Sequence, residues 1–564
     1  MARTSQRKLL LVFIVAGVVS GIAAVLFHEW IELSRSLLFD RVFALQAVPR
    51  TLLIVTIPTV VAALLGWTVQ RFAPSALGAN LARVKRSYAE DVAHLDPRTL
   101  LATFALTPLS LGSGAPLGPE GPTVVVTSGL SAWVARVFGL PKRLWRGMIP
   151  VGTAAGIAAI FRTPITGVVF ALEELSGTSS RSILGGTLLA AVAAAVVQQS
   201  LSSHRARILP ASAADWADPR ELIGFAIVGL CAGLISGAVL RYGARLRDHF
   251  RKRVPSIPFR FAIGGAAVGM LGAIEPSMLG VGYPTTSLFL TGGGSLPFAA
   301  GALATKVLGF TIAVAAGLLG GTFAPSLFIG SSLGALVGFA GTSVLPGPIN
   351  VGAYALVGMG AYFAGTLRAP IAAVLIVLEL TNDYGLIVPL MLGVVLANTI
   401  SHVMAPRTLE EEQLEHEGVK EHHAARDPLG GLRACDVMGG APVTFGPATT
   451  LAEVIERTRN ERHHDYPVVD ADGRVLGMLS GDEIARSFRA GLFESPIAEM
   501  LAPPPMVARM DEALHDVLDR MAQRGAERCL VVDVEERVQG TISPSDLVRA
   551  RFREQMATGD DTFS

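Results

Sequence analysis

One glutamate stands where a carboxyl group could do chemistry inside an apolar protein. Glu120 follows a glycine- and proline-rich stretch, 112–119, and precedes the apolar run Thr123 to Val126. A carboxyl group at the start of a hydrophobic helix is rare, and the partial positive charge of a helix N-terminus favours its ionised form. An inorganic anion is attracted to the same position. Glu120 could therefore occupy an anion site when ionised and leave it when protonated, acting as both gate and proton carrier.

Two other interpretations of this stretch stay open. Glu120 could simply cap a helix, or Gly112, Gly114 and Gly118 could belong to a nucleotide-binding loop. The loop interpretation is the weaker one, because the glycines do not lie in an alternation of strands and helices.

A second glycine-rich break occupies residues 320–330. It offers the backbone N–H groups of Thr322 and Phe323 to an anion. Backbone donors can bind a halide without introducing a trapping cation. Considered alone, such a stretch is more typical of close helix packing.

The surroundings of both breaks are those of a membrane protein. Of the 564 residues, 51% are hydrophobic and only 16% are charged, which is too apolar for a soluble chain of this length. The stretch Gly301 to Thr381 has only Lys306, Arg368 and Glu379 as charged residues. The N-terminal run Leu9 to Phe27 has no clear cleavage site and is predicted to be a retained transmembrane helix.

Several apolar segments are shorter than the ~20 residues that a helix needs to span a bilayer. Glycine and proline separate them, rather than long polar loops, as at Thr163-Pro164 and Ala369-Pro370. We therefore expect helices that stop and restart within the membrane. Such breaks are tolerated only where the freed backbone groups are enclosed by protein or line a water-filled cavity.

An internal repeat relates the two halves of the apolar portion. Residues 151–173 match residues 357–379 at a constant offset of 206, and Glu173 and Glu379 are one of the identical pairs. The same offset pairs glycine and proline positions of the first break with those of the second. Paired broken helices in two halves are typical of a transporter with its site near the membrane midplane.

The composition changes after Pro406. The next segment is charged, and its run Glu410-Glu411-Glu412 is expected to be solvated. Two alternating β/α units follow. The predicted strands are 465–470, 475–480, 529–534 and 538–543. The predicted boundaries are 1–406 for a membrane domain with halves of about 1–205 and 206–406, 407–428 for a linker, 429–555 for a soluble domain with units at about 434–490 and 497–552, and 556–564 for a tail.

The two breaks resemble the filter motifs of the CLC family. Gly118-Pro119-Glu120-Gly121-Pro122 is similar to the G-x-E-G-P motif, and Gly321-Thr322-Phe323-Ala324-Pro325 to the G-x-F-x-P motif. The resemblance implies an antiparallel internal repeat, a homodimer with one pore per subunit, and Glu120 as the external gating glutamate. The candidate anion-binding residues are then Gly118, Gly121, Thr322, Phe323 and, from a further motif, Ala79.

Glu174 lies, by this resemblance, where exchangers of the family carry an inner proton-transfer glutamate and many channels carry an apolar residue. Its presence favours Cl⁻/H⁺ exchange, with chloride and protons as the transported ions. The alternative is a passive anion channel gated by Glu120, because glutamates at helix ends also occur for packing and charge reasons.

Two departures from the family concern the anion site. The family's G-S-G-I-P motif corresponds to residues 78–82, where Ala79 stands in place of the serine that helps coordinate the anion. The family's inner tyrosine aligns near Thr408-Leu409-Glu410, where no tyrosine occurs. Asn80-Leu81 is faintly similar to the fluoride-exporting branch, so a fluoride/H⁺ exchanger is a further alternative.

The C-terminal units resemble paired CBS modules, in which a G-x-x-[ST]-x-x-D pattern binds the ribose of an adenine nucleotide. Residues 540–546 fit this pattern and make Ser543 and Asp546 candidate nucleotide ligands. The first copy offers Ser480 but has Glu483 at the last position. An adenine nucleotide could regulate the protein, or the modules could be purely structural. A nucleotide sensor with a membrane scaffold is the corresponding alternative function.

The expected fold class is an all-α polytopic membrane protein with an inverted internal repeat and broken helices, plus a C-terminal α/β tandem CBS domain. Arg3, Arg7 and Lys8 place the N-terminus in the cytoplasm, with the CBS domain, at a bacterial inner membrane. A net charge of +1 provides no basic field for nucleic acid. The sequence contains no discernible pair of a nucleophile with a general base, and no discernible metal cluster. Neither an enzyme nor a required cofactor is therefore expected. The three cysteines, Cys231, Cys435 and Cys529, are expected to be ordinary buried thiols.

Overall fold

The computed structural model divides the chain into two compact units, Met1–Glu421 and His422–Ser564. The first is called the membrane unit and the second the C-terminal unit. The structure describes residues 2–78, 80–89, 95–176, 181–201, 220–343, 349–382, 384–416, 432–459, 465–502, 506–526 and 528–550. The predicted tail, 556–564, and most of the predicted linker lie outside the described residues.

The membrane unit is built from helices. Its α-helices are α1 (Ala2–Arg35), α2 (Arg41–Phe43), α3 (Ala47–Phe72), α4 (Leu81–Ala89), α5 (Pro97–Gly112), α6 (Glu120–Val137), α7 (Lys142–Trp145), α8 (Met148–Phe161), α9 (Pro164–Ala171), α10 (Arg181–Leu201), α11 (Glu221–Arg253), α12 (Ile257–Ile274), α13 (Tyr283–Leu290), α14 (Leu296–Ala316), α15 (Phe323–Gly341), α16 (Val351–Leu367), α17 (Pro370–Thr381), α18 (Ile387–Met404) and α19 (Leu409–His416). Its shorter elements are π-helical turns at Ser36–Asp40 and Leu172–Ser176, and 3₁₀ turns at Pro74–Ala76 and Pro276–Met278.

Among the described residues, eight helical segments are long and apolar enough to cross a membrane. They are Arg7–Phe43, Ala47–Phe72, Leu184–Leu201, Glu221–Arg253, Ile257–Ile274, Leu296–Ala316, Phe323–Gly341 and Ile387–His416. The chain is therefore an integral membrane protein, as its composition predicts. Helices α8, α16 and α17 are apolar but shorter, which confirms that helices stop and restart between the spanning segments.

Local sequence explains where two of these helices stop and restart. Arg162 ends α8 and Arg368 ends α16 in the left-handed conformation, with φ of 61° and 62°. Pro164 and Pro370 then begin α9 and α17. A left-handed residue terminates a helix, and proline at the first position lacks only an N–H group that has no intrahelical partner. Both pairs keep the offset of the sequence repeat, so the repeat is structural.

The two halves also exchange helix caps. The Glu173 carboxylate accepts hydrogen bonds from the backbone N–H groups of Ile371 and Ala372, at 3.1 and 2.9 Å, at the start of α17. The Glu379 carboxylate accepts from the two corresponding N–H groups of α9, at 3.0 and 2.6 Å. Equivalent glutamates of the repeat therefore each satisfy the helix start that belongs to the other half. This reciprocal capping is the arrangement that two-fold symmetry produces.

Glycines bring α15 and α16 into direct backbone contact. A methyl group on Gly330 would collide with the carbonyl oxygen of Gly358, and one on Gly358 with that of Gly330. Small residues at such a contact let two helix backbones approach closely. Every residue of α16 is buried, so this contact anchors α15, which begins at Phe323, in the centre of the unit.

The C-terminal unit contains two copies of one β/α pattern. Its elements are α20 (Ala434–Val437), α21 (Leu451–Thr458), β1 (Asp465–Val469), β2 (Val475–Ser480), α22 (Gly481–Arg489), a 3₁₀ turn (Ile497–Met500), β3 (Val507–Arg509), α23 (Leu514–Arg524), β4 (Cys529–Val532) and β5 (Val538–Ile542). β1 and β2 pair antiparallel, and β4 lies between a parallel β3 and an antiparallel β5. Strands occur at all four predicted positions, and β3 is a further short strand.

Both copies turn from one strand to the next in the same way. Asp470 Oδ1 accepts hydrogen bonds from the N–H groups of Asp472 and Arg474 at 2.9 and 2.8 Å. Asp533 makes the two corresponding bonds at 3.0 and 2.9 Å. Aspartate side chains stabilise turns through such bonds to the backbone ahead of them. Arg474 and Arg537 form an antiparallel bridge, so the two turns meet within the unit.

The prediction that the run Glu410-Glu411-Glu412 is solvated is wrong for Glu410. Residues Leu409–His416 form α19, and both Leu409 and Glu410 are only 5% exposed. The helix packs on α4 and α11, with Leu414 buried against Ala82. The first part of the predicted linker is therefore an integral part of the membrane unit.

Candidate ion pathway

The candidate gate Glu120 is the first residue of α6 and is 1% exposed. Its oxygens approach the backbone N–H groups of Glu120 itself and of Ala324, but among the described groups neither oxygen finds a partner with hydrogen-bond geometry. Gly118 leaves room for this side chain, because a methyl group there would collide with Glu120 Oε2. A carboxylate attracted by helix N-termini, but fixed by no hydrogen bond in the described part of the chain, can move once it is protonated.

The two glycine-rich breaks are joined by an antiparallel backbone bridge. The Gly118 N–H group donates to the Gly321 carbonyl at 2.9 Å, and the Gly321 N–H group donates to the Gly118 carbonyl at 2.6 Å. The bridge places the starts of α6 and α15 side by side. Because the Gly118 N–H group already donates to Gly321, it is not available to an anion in this structure. Gly118 contributes to the shape of the site instead.

The start of α15 is held by an aromatic cluster. The Phe323 ring stacks on Phe161 with centroids 4.7 Å apart and meets Phe170 and Phe363 edge-on at 5.6 and 4.3 Å. Offset and edge-on ring pairs each contribute about 0.5–1.5 kcal/mol beyond their buried area. The N–H groups of the first helical residues have no intrahelical acceptor. The cluster therefore aims a rigid helix N-terminus at the space beside Glu120.

This space is a cavity of about 20 Å³, called the central cavity. A cavity needs roughly 10–15 Å³ of this kind of volume to hold one water, so a small ion or one or two waters fit. Of the predicted site residues, Glu120, Gly121, Thr322 and Phe323 line it together. The remaining lining residues are Asn80, Leu81, Val124, Ile157, Phe170, Gly321, Leu367 and Glu410.

A larger cavity of about 80 Å³, called the arginine vestibule, is lined by Arg247, Arg251 and Arg260 among others. Guanidinium groups in a concave site raise the local concentration of anions. Arg247 also donates to the Leu409 carbonyl at 3.3 Å and Arg260 to the Ala316 carbonyl at 3.0 Å. These bonds attach the vestibule wall to the start of α19 and to the end of α14.

Three residues line both cavities: Asn80, Thr322 and Glu410. They form the wall between the vestibule and the central cavity. The Thr322 hydroxyl donates to Glu410 Oε1 at 2.9 Å, and the Asn80 amide donates to Gln413 Oε1 at 2.9 Å. Both bonds reach α19 from elsewhere in the membrane unit, so α19 completes this wall.

Glu174, the predicted proton-transfer residue, lies in the π-helical turn Leu172–Ser176 that follows α9. Its side chain is 5% exposed and pairs with Lys85 of α4 at 2.7 Å. Glu174 is not among the described residues that line the central cavity. Lys85 and Glu174 both lie close enough to Glu410 to interact with it electrostatically. π-Helical turns occur frequently at functional sites.

The predicted anion-binding residue Ala79 lies outside the described residues. Its neighbour Asn80 is a wall residue that sequence reasoning did not assign to the site. Glu410 and Lys85 were missed as well. The signal that pointed towards Glu410 was the tyrosine missing near Thr408-Leu409-Glu410.

The candidate nucleotide residues of the C-terminal unit make local hydrogen bonds. Ser480 caps α22 by accepting from the Glu483 N–H group at 3.3 Å, and its hydroxyl donates to the Glu483 carboxylate at 3.0 Å. Asp546 accepts from the Ser543 N–H group at 3.0 Å and from Arg549 at 2.5 Å. Glu483 thus takes the structural part that Asp546 plays in the second copy.

Broken helices that converge on a buried cavity, with a carboxylate at one helix start, define a membrane transport protein. A comparison of the sequence with family profiles specifies which kind. Residues 61–402 match the profile described as voltage gated chloride channel, so the chain belongs to this family, the CLC family. Residues 434–490 and 497–553 each match the CBS domain profile.

Known proteins agree with this membership. The chain is 33% identical over 315 residues to a putative chloride channel protein ClcB-like of Ralstonia nicotianae, covering 55% of this chain and 73% of the relative. The crystal structure of a eukaryotic CLC transporter is similar with a TM-score of 0.66 at 19% identity, over 96% of this chain and 98% of that one. The structure of a slow cyanobacterial Cl⁻/H⁺ antiporter is similar with a TM-score of 0.65 at 23% identity, over 73% and 99%.

These findings confirm the resemblance drawn from the two breaks and the predicted fold class. They establish CLC-type chloride transport as the class of function. The family consists of channels and transporters rather than enzymes.

Proposed function

We propose that the protein exchanges chloride for protons, with Glu120 competing with chloride for the central cavity. The observation that carries the proposal is the Glu120 carboxyl group, 1% exposed, in a cavity at the starts of α6 and α15. A carboxyl group at a helix N-terminus and an anion are attracted by the same partial charge, so one excludes the other. Family membership supports chloride as the anion.

The backbone around the cavity supplies the donors. Gly121 is the second residue of α6, Thr322 immediately precedes α15, and Phe323 is its first residue. N–H groups at these positions have no intrahelical acceptor. When a proton neutralises Glu120, the attraction that holds its side chain is lost and chloride can take its place. The return of the ionised side chain then expels chloride and makes the proton and anion movements alternate.

Glu174 is the proposed proton donor and acceptor on the cytoplasmic side. Its position in a π-helical turn, beside Lys85 and near Glu410, links it to the wall of the central cavity. The same ion pair with Lys85 favours a second candidate function, a passive anion channel gated by Glu120. In that case Glu174 only fastens the turn after α9 to α4.

The proposed setting is a homodimer in a bacterial inner membrane, with the N-terminus and the CBS domain in the cytoplasm. Basic residues at Arg241 to Arg253, and the three near the N-terminus, support this orientation through the positive-inside rule. The homodimer rests on family membership.

Adenine nucleotide binding at Ser480, Ser543 and Asp546 is the proposed regulatory function of the CBS modules. CBS membership supports it, whereas the local capping bonds of these residues support a structural role. Titration of the purified protein with ATP, ADP and AMP separates the two, since a structural module binds none of them.

The deciding experiment measures chloride and proton movement from the same proteoliposomes. An outward chloride gradient should drive protons inward in the wild type. Glu174→Gln should keep chloride movement and lose the proton movement. Chloride movement without protons in the wild type would establish the channel instead, and transport of fluoride but not chloride would establish a fluoride exchanger.

A further inference from the structure

Glu410 lies at the boundary between the two cavities of the membrane unit. It is 5% exposed, and it lines both the arginine vestibule and the central cavity. The family resemblance gave it no role, because the sequence has no tyrosine in this region. Its burial, rather than its place in an acidic run, is what distinguishes it from its neighbours.

A carboxylate in this wall opposes the passage of an anion. Charges interact strongly where water is largely excluded, so an ionised Glu410 repels chloride on either side of it. The vestibule arginines attract chloride to the wall. The vestibule therefore concentrates an anion in front of a barrier of the same sign, and neutralising Glu410 removes that barrier.

The surroundings hold Glu410 in the wall. The Thr322 hydroxyl donates to its Oε1 at 2.9 Å. One residue before it, the Leu409 carbonyl accepts from Arg247 at 3.3 Å. The Asn80 bond to Gln413, at 2.9 Å, fixes the next turn of the same helix. The side chain is thus positioned by three separate elements around α19.

Charged groups face Glu410 from each element packed around it. Those that the described residues place near it are Lys85 on α4, Glu120 on α6, Glu174 in the turn after α9, Arg247 and Arg251 on α11, and Arg260 on α12. The group includes Glu174, the proposed proton donor. Its charge acts on Glu410, which lines the central cavity.

We propose that Glu410 is a second titratable gate, which closes the vestibule side of the central cavity as a carboxylate and opens it when protonated. This inference rests on the proposed function, since it concerns the same anion pathway. Glu120 and Glu410 then both control access to the central cavity, which they line together. Each contributes its own pH dependence to chloride movement.

The test isolates Glu410 by removing the other gate. In a Glu120→Gln background, chloride efflux from proteoliposomes is measured at equal pH inside and outside, from about pH 5 to about pH 8. Equal pH makes the result independent of protein orientation. We expect efflux to fall with rising pH, approaching about tenfold per pH unit once most Glu410 side chains are ionised. Adding Glu410→Gln should remove this dependence and keep efflux fast at high pH.

Two further variants make the result specific. Glu410→Asp retains a titratable group and should keep the pH dependence. Glu415→Gln makes the same chemical change on the same helix, at a side chain that is 53% exposed, and should also leave the dependence unchanged. Size-exclusion profiles of all variants report whether they are folded.

The outcomes separate this inference from the proposed function. A Glu120→Gln/Glu410→Gln protein whose efflux keeps the pH dependence of Glu120→Gln alone overturns the gate at Glu410. A wild-type protein that moves no chloride overturns the proposed function itself. Loss of pH dependence with Glu410→Gln, together with its retention in Glu410→Asp and Glu415→Gln, supports the second gate.

Discussion

The reciprocal caps make a quantitative prediction about how the two halves are held together. Glu173→Ala removes the acceptor of two backbone N–H groups at the start of α17, which bond at 3.1 and 2.9 Å. Hydrogen bonds to a charged group contribute about 1.5–3 kcal/mol each, so we expect a loss of about 3 kcal/mol or more in the free energy of unfolding. Glu379→Ala removes the two equivalent bonds of α9.

Glu379 also accepts from the Thr166 hydroxyl at 2.5 Å, so Thr166→Val should lower the free energy of unfolding by removing this bond. One further bond to a charged acceptor adds about 1.5 kcal/mol. The matched test is Thr166→Val in the wild type and in a Glu379→Ala background, where the effect of Thr166→Val should disappear.

The assay is the midpoint of thermal unfolding of the purified protein in detergent, followed by fluorescence-detected size exclusion. Glu29→Ala, at an exposed position of α1, is the control for loss of a carboxylate. Midpoints of Glu173→Ala and Glu379→Ala equal to that of Glu29→Ala would show that the caps contribute nothing to stability. A loss from Thr166→Val that is the same with and without the Glu379 carboxylate would contradict the part assigned to Thr166.

Three other predictions concern separate parts of the chain. Gly118→Ala places a methyl group against the Glu120 carboxyl group, so we expect chloride efflux to become less dependent on pH. Burial raises the pKa of the Cys529 thiol to about 11. Maleimide should therefore label the half-buried Cys435 before Cys529. The rate of Cys529 labelling should rise about tenfold for each unit of increasing pH below about pH 11, as mass spectrometry can show. Hydrogen bonds from the backbone, chiefly from Arg537, lower the pKa of Asp533; its stabilising effect is therefore present above about pH 4 and is lost as the pH falls further. Asp533→Asn should accelerate hydrogen exchange in β4 and β5 at neutral pH, and this difference should shrink in acid.

The position of Glu120 at the start of a helix could be predicted from the sequence because the signal is local. Glycine and proline end and start helices through their own backbone properties. A carboxyl group at a helix start interacts with the partial positive charge of the helix N-terminus whatever residues surround it. The same local rules explain why Arg162, Pro164 and their partners in the second half mark helix breaks. Strands of the C-terminal unit were equally readable, because their apolar residues lie between turn residues such as Asp470.

The wall between the two cavities could not be read in this way. In Glu410-Glu411-Glu412 three identical residues follow one another, and the phase of α19 against α4 and α11 decides that Glu410 is the buried one. The bond from Thr322 to Glu410 joins positions 88 apart in the chain. No local sequence pattern predicts a contact between residues so far apart in the chain.

Local composition and a repeated motif are sufficient to predict the class of protein, its repeat, its helix breaks and the carboxyl group at the first break. Three features become visible only in the folded chain. The Gly118 N–H group donates to the Gly321 carbonyl, Glu173 and Glu379 cap each other's halves, and Glu410 lines both cavities. Hydrogen bonding and burial depend on which distant segments of the chain come into contact. A buried glutamate and an exposed one therefore differ in the energy of their charged form, although their side chains are identical.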